Sequence, residues 1–399
     1  SSYTINSYNI DYLALTKTDN VAPNVSLWTP ENDSYVNGRV SLIANASDNF
    51  AIANVVFQYS NSSVAWTNLA SCNLTASNYR GDYRCYWQTS TFSNGTEGYN
   101  IKAVAYDVQG NTAEDIKHYT IDRTRPIIYE MDVVYPGTQS SVRDGQNITL
   151  KAVVTDSPTV AAGIDYVQAN LTSLNSTSWT NLLLVSGSKA SDMNSTWEIN
   201  VSINSVTGIQ RPNIRVYDAA TPTPNIRTGV RWGVRVDNAM PTYSGLSSSS
   251  GIYNNTLATF VVTANDNYDL DHYILSQNWS GVWVNDSSVS ISGISEYIEY
   301  NKAVYAGNFS YKFFIFDDAG NMNETATGNI EVYGAAPTPI IYLVSPIDDS
   351  LTKNNSVDFK FYYLNSDLDN CTLVLDEIKN ETTINPANET ILSFTTKTL

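Results

Sequence analysis

Histidine and cysteine are nearly absent, with two of one and three of the other in 399 residues. This removes most of the usual equipment of catalysis and zinc binding. His118 and His272 have no partner motif, and Cys72 and Cys85 lack the second Cys/His pair that a zinc site needs. No Gly-x-Ser-x-Gly elbow, His-Glu-x-x-His, phosphate-binding loop or dinucleotide fingerprint occurs, and no two carboxylates form a recognisable acid/base pair. The chain is therefore read as non-enzymatic. Charge is also scarce, at 15% of residues against roughly 25% in an average soluble domain. Basic residues are the scarcer sign: 22 against 39 acidic give a formal charge of −17, which argues against a nucleic-acid or anionic-lipid partner. Apolar runs such as residues 313–316 are short, and no segment approaches the roughly 20 apolar residues of a membrane-crossing helix. No charged and apolar leader opens the sequence at Ser1, so any secretion signal is expected to have been removed already.

Uncharged polar residues fill the gap: 44 Asn and 83 Ser plus Thr, beside 27 Tyr. With 42% hydrophobic residues a folded core is expected rather than wholesale disorder. Twenty Asn-x-Ser/Thr sequons occur, at Asn24, Asn32, Asn45, Asn61, Asn73, Asn94, Asn147, Asn170, Asn175, Asn194, Asn200, Asn254, Asn278, Asn285, Asn308, Asn323, Asn354, Asn370, Asn380 and Asn388. Chance predicts about nine at this Ser and Thr content, so the excess is twofold and is spread along the whole chain. That pattern suits N-linked glycans on an extracellular or cell-surface protein; the plainer reading is that polar strand and loop faces are simply written in Asn, Ser and Thr. Cys72 and Cys85, thirteen residues apart, are the natural disulfide pair, and Cys371 is left over as a free thiol or a link to a second subunit. A Cys72–Cys85 bridge would close a short loop and contribute on the order of 3 kcal/mol.

The length allows three or four domains, and a period near 100 residues appears when the linkers are aligned. Each unit begins with Pro and a short strand, at Pro23, Pro126, Pro241 and Pro339. An alternating strand follows, closing on Asp48, Asp156 and Asp266 in three of the four units; residues 357–364 keep the strand without the acid. A later strand ends at Asp107, Asp218 and Asp317, and two of these run into the same turn, residues 107–111 and 317–321. A last strand leads to the next Pro; in its cleanest example Val230, Trp232, Val234 and Val236 share one face while Arg231, Gly233, Arg235 and Asp237 share the other. Period-two alternation punctuated by Gly, Pro, Asn and Asp, without a convincing 3.6 period, specifies an all-β chain of tandem immunoglobulin-like β-sandwiches, expected to form an elongated rod.

Through the Pro-led first strand, the strand ending in Asp and the Asp-x-x-Gly-Asn turn, the chain resembles the tandem immunoglobulin-like modules of archaeal and bacterial surface proteins. The resemblance implies a prokaryotic, archaeal, surface location. The Cys–Trp–Cys core of antibody-type domains is absent.

The ends of the chain shape the expected function. Residues 20–124, 125–238 and 239–334 each carry a full set of strands, whereas residues 335–399 read as an incomplete fourth sandwich. Residues 1–19 read as an orphan last strand, with Tyr8, Ile10, Tyr12 and Ala14 on one face. An open sandwich exposes an apolar groove and unpaired backbone, and both fragments are satisfied if the first segment of one copy fills the fourth sandwich of the next. Such a contact is heterologous and generates a head-to-tail homopolymer. The alternatives are a window from a longer repeat array, an adhesin or receptor ectodomain, and an accessory module of a secreted enzyme.

One chemical expectation remains. Asp48, Asp107, Asp122, Asp156, Asp218, Asp237, Asp266, Asp269, Asp317 and Asp318 recur at inter-strand loops and linkers that can meet at one pole of a sandwich, where Ca²⁺ would find oxygen ligands. The densest cluster is Asp266, Asp269 and Asp271. Asx turns would use the same residues without any metal. Trp279 and Trp283 with Tyr268, Tyr273 and Tyr297 offer a sugar-stacking platform, with core packing as the competing reading.

Overall fold

Alternation in the sequence becomes two-layer β structure. A computed structural model of the chain describes residues 18–75, 77, 80–156, 159–189, 194–335, 338–347, 357–364, 370–375, 378–384 and 391–395. Among these, helix is confined to one turn at Thr172–Asn175 and a 3-10 turn at Thr89–Thr91. None is long and apolar enough to cross a membrane. The chain divides into two compact units, residues 1–238 and 239–399, each containing two hydrophobic cores.

The strand Arg39–Ser47 shows how residue type sets the layers. Val40, Leu42, Ala44 and Ala46 point inward and are buried, while Arg39 and Ser47 at its ends are exposed. Successive side chains face opposite sides of a sheet, so this spacing buries one complete face. The strand lies between Asn24–Thr29 and Asp82–Gln88 in an antiparallel three-stranded sheet. The facing sheet runs Thr67–Leu74, Ile52–Ser60, Tyr99–Asp107, Thr112–Ile121 and Ser34–Asn37. Its outer edge is covered by Thr221–Pro222 of the second sandwich, paired in parallel with Ser34–Asn37. Leu27, Leu42, Phe57, Trp87, Ile101 and Tyr119 fill the space between the sheets. Cys72 and Cys85 form a disulfide, with Cα atoms 5.4 Å apart, that joins one sheet to the other.

The second sandwich packs Ile127–Val134, Asn147–Thr155, Ser195–Ser202 and Leu183–Ser186 against a sheet containing Trp179–Asn181, Ile164–Asn170, Asn213–Asp218 and Ile226–Arg227. Two buried tryptophans centre its core, and each indole N–H is satisfied: Trp197 donates to Ser195 Oγ and Trp232 to the Lys151 carbonyl. The alternating stretch from Val230 is a strand only over Val234–Val236, paired with Gly208–Gln210. Trp232, Val234 and Val236 are buried and Val230 is half-buried. Asp237, which alternation puts on the outer face, is buried as well.

In the second unit, Thr242–Ser248, Thr256–Asn265 and Ser295–Val304 form one sheet of the third sandwich. The long strand Gly307–Asp317 lies in the other, between Leu270–Gln277 and Gly328–Tyr333, and Phe260, Tyr273, Leu275 and Phe313 pack between the two. In the fourth, Ile340–Ser345, Asp358–Leu364 and Leu392–Thr395 form a three-stranded sheet, while Asn370–Leu375 pairs with Ile378–Ile384. Its buried cluster is small: Phe361, Cys371 and Phe394, with Phe359, Leu373 and Leu392 partly covered.

Replacing Cys72 and Cys85 together with alanine is expected to lower the stability of the first sandwich by about 3 kcal/mol, the cost of releasing a loop of this length. Chemical denaturation of wild type and the double variant checks it; unchanged midpoints would show that packing alone holds the two sheets together.

Candidate functional sites

Three loops meet at one pole of the first sandwich. Asp48 follows the strand Arg39–Ser47, Asp107 ends Tyr99–Asp107 in the opposite sheet, and Asp19 precedes the strand that begins at Asn24, which pairs with Ser47. One carboxylate oxygen from each lies within 4.8 Å of the others. Asp19 and Asp107 are buried and Asp48 is half-buried. Asp107 Oδ1 accepts the backbone N–H groups of Gln109 and Asn111, and its Oδ2 accepts Asn111 Nδ2. The same Asn111 amide donates to the Asp19 carbonyl, tying the turn to the incoming chain. Burial pushes the Asp107 carboxyl up, but the side-chain amide of Asn111 and the N–H groups of Asn111, Gln109 and Gly110 more than offset it and hold it below its ordinary value.

The second sandwich repeats the arrangement with Asp122, Asp156 and Asp218, all buried and again within 4.8 Å of one another. Here Asn225 takes the part of Asn111. Its N–H donates to Asp218 Oδ1, and its side-chain amide reaches both Asp218 Oδ2 and the Asp122 carbonyl. Asp122 also accepts from Thr124 and from the Ala162 N–H, and Asp156 from the Gly163 N–H. Burial is the larger effect at Asp218. Despite its donors, and helped by the charge of Asp122, it pushes the carboxyl up to about 6.

In the third sandwich the Asp317–Asn321 turn has the same bonds, backbone to Oδ1 at 2.7 Å and side chain to Oδ2 at 2.8 Å. The carboxylates of Asp266, Asp269 and Asp271 do not converge on one point. Asp266 accepts the Tyr268 and Asp269 N–H groups, Asp269 accepts the Gly293 N–H, and exposed Asp271 lies 2.6 Å from His272 Nδ1. His272 stacks on Phe316, and His118 lies 3.4 Å from Asp33.

A second feature lies in the fourth sandwich. A groove of about 500 Å³ opens between its sheets, lined mainly by Ile341, Leu343, Phe359, Phe361, Leu373 and Phe394. Cys371 also lines it; among the described residues it forms no disulfide, and burial pushes its thiol up. The contrast with the first sandwich is direct. Leu27 stands four residues after Pro23 and is fully buried, whereas Leu343 stands four residues after Pro339 and is 62% exposed, with Ile341 at 59%. The segment carrying Tyr8, Ile10, Tyr12 and Ala14 lies outside the described residues.

The sequon asparagines sit at the surface. Of the seventeen whose side chains are described, ten are exposed, seven are half-buried and none is buried; Asn354, Asn380 and Asn388 lie outside this set. The aromatic group divides: Tyr273 is buried and Trp279 packs on Phe260 and Phe309 in the core, while Trp283 and Tyr297 are exposed and Tyr268 is half-buried.

The Asp218 cluster makes two expectations measurable. Asn225→Ala leaves the buried Asp218 carboxylate without its amide donor and should cost about 1–3 kcal/mol in denaturant unfolding. The folded Asp218 pKa of about 6 lies above the about 4 of an unfolded aspartate, so between those values the native state holds more protons and stability falls as pH rises. In chelator, wild type should therefore gain stability relative to Asp218→Asn as pH drops from 7 to 5. Parallel pH profiles of the two proteins would contradict this.

Residues 23–103, within the first sandwich, match the family described as bacterial Ig domain. No curated protein sequence matches the chain. Solved structures with similarity include the fibronectin(III)-like modules of Clostridium thermocellum CbhA, at 16% identity and a TM-score of 0.31, over 53% of this chain and 95% of that one. The FN1–FN3 domains of chicken CNTN1 are 10% identical with a TM-score of 0.24, over 78% and 98% of the two chains. Dimeric latent PorU from Porphyromonas gingivalis is 13% identical with a TM-score of 0.21, over 79% and 34%. The chain is thus all-β, built of tandem immunoglobulin-like β-sandwiches, and its first sandwich carries the bacterial Ig match.

Proposed function

We propose that the chain is a structural subunit of an extracellular filament or surface layer, N-glycosylated, that polymerises head to tail. In this reading the N-terminal segment that carries Tyr8, Ile10, Tyr12 and Ala14 in one copy adds as a strand to the fourth sandwich of the next. The observation that carries the reading is the open groove, where Ile341 and Leu343 are exposed at positions whose counterpart in the first sandwich is fully buried. Exposed apolar area of this kind costs free energy, and covering each large side chain contributes roughly 1.5–3 kcal/mol. The proposed occupant has matching chemistry: Tyr8, Ile10, Tyr12 and Ala14 alternate in the sequence, so a strand formed there presents one apolar face. Because donor and acceptor surfaces differ, such a contact extends without closing. The buried disulfide and the surface position of the described sequon asparagines support an extracellular setting.

Electron microscopy of three proteins tests the reading. The full chain should form filaments, a variant lacking residues 1–18 should not, and Leu343→Asp, which puts a charge into the groove, should also fail to assemble while its first three sandwiches unfold normally. Filaments that survive the deletion would sink the donor-strand idea, and so would a full chain that stays monomeric at high concentration.

A further inference from the structure

The proposed assembly gives no role to the acidic pole of the first sandwich. Asp19 is 94% buried, and its Oδ1 accepts the Val21 N–H and Asn49 Nδ2. Its Oδ2 is buried with no hydrogen-bond donor, and so is Asp48 Oδ1. The other Asp48 oxygen takes the Phe50 N–H at 2.6 Å. Two unpartnered anionic oxygens thus lie in a cluster completed by Asp107, with one carboxylate oxygen of each residue within 4.8 Å of the others. No Lys or Arg among the described residues forms an ion pair with any of the three. Three carboxylates this close, two of them buried, repel one another, and while donors fill both oxygens of Asp107, one oxygen each of Asp19 and Asp48 lacks the compensation that buried charge requires.

We infer that Asp19, Asp48 and Asp107 hold a divalent cation, and that its chemistry is that of calcium. The donors are all hard oxygens, which excludes the soft and imidazole-preferring metals. They come from two loops and the end of a strand, separate in the chain, which suits the six to eight flexible oxygen ligands of calcium better than the strict octahedron of magnesium. The cation would link both sheets to the segment through which the chain enters the sandwich, since Asp48 and Asp107 belong to opposite sheets and Asp19 to that segment. The bonds of Asn111 to Asp107 and to the Asp19 carbonyl hold two of the three ligands in place beforehand. This site does not depend on polymerisation.

Calorimetric titration of the full chain with calcium chloride, with magnesium chloride as the comparison, tests the inference together with thermal unfolding of Asp48→Asn. Wild type should bind calcium in preference to magnesium and melt at higher temperature with calcium than with EDTA. Asp48→Asn should weaken binding at this site at least about tenfold, since it removes a charged ligand. The sign of its effect should also reverse: in EDTA it should melt at or above the wild-type temperature, because one repelling charge is gone, and in millimolar calcium below it. A chain that neither binds calcium nor gains stability from it overturns the inference. So does a variant that keeps the whole calcium-dependent shift, or one that is destabilised equally in both buffers.

Discussion

A buried carboxylate at the end of a central strand organises each of the first three sandwiches. Asp107, Asp218 and Asp317 are almost completely inaccessible, and a carboxylate in that position is tolerable only when its lone pairs are filled. In all three an asparagine fills them with one backbone and one side-chain donor. Satisfying the acid fixes the turn. In the first two sandwiches the same amide reaches the carbonyl of the preceding linker Asp, so the turn in its bonded form also fixes where the chain arrives. The path of the linker, the meeting of the loops and the acidic pole all follow from one polar group placed inside.

Much of this was legible because period-two alternation leaves little freedom. A strand such as residues 39–47, with an apolar residue at every second position, has one buried face in any register that folds, and the strands expected to close on Asp48, Asp156 and Asp266 end one residue before those acids. The turn acids could be aligned from sequence for the same reason. Asn225 could not. It stands seven residues after Asp218, where Asn111 and Asn321 stand four after theirs, so spacing hides an equivalence that only the hydrogen bonds reveal. Asp237 was misplaced by alternation itself, because the regular strand stops at Val236 and the next residue follows the linker rather than the pleat.

Exposure of the fourth first strand was equally hidden. Leu27 and Leu343 follow their prolines at the same distance and have the same chemistry, so no sequence rule separates a residue at 0% exposure from one at 62%. The difference lies in what packs opposite. The first core surrounds Leu27 with side chains from both sheets, whereas the buried cluster of the fourth, among the described residues, comprises Phe361, Cys371 and Phe394. Cooperative stability grows with buried apolar area, so the fourth sandwich is the region where the chain has least to lose by rearranging and most to gain from an added strand.

Strand addition requires that only one groove be available. Every open sheet edge offers unpaired backbone to any passing strand, and sequences rich in β-formers and poor in charge have few of the usual defences. Lys and Arg together number only 22, so charged edges cannot supply the barrier throughout. Neutral sequons stand on three of these edges: Asn24 on the edge strand Asn24–Thr29, Asn73 on Thr67–Leu74 and Asn285 on Val284–Asn285. Under the proposed extracellular reading, a glycan at each of these would block edge-to-edge pairing by bulk rather than by charge. In the proposed assembly the unusual composition would then contribute to the choice of contact, covering three lateral edges while the apolar groove beside Leu343 stays open to one matching strand.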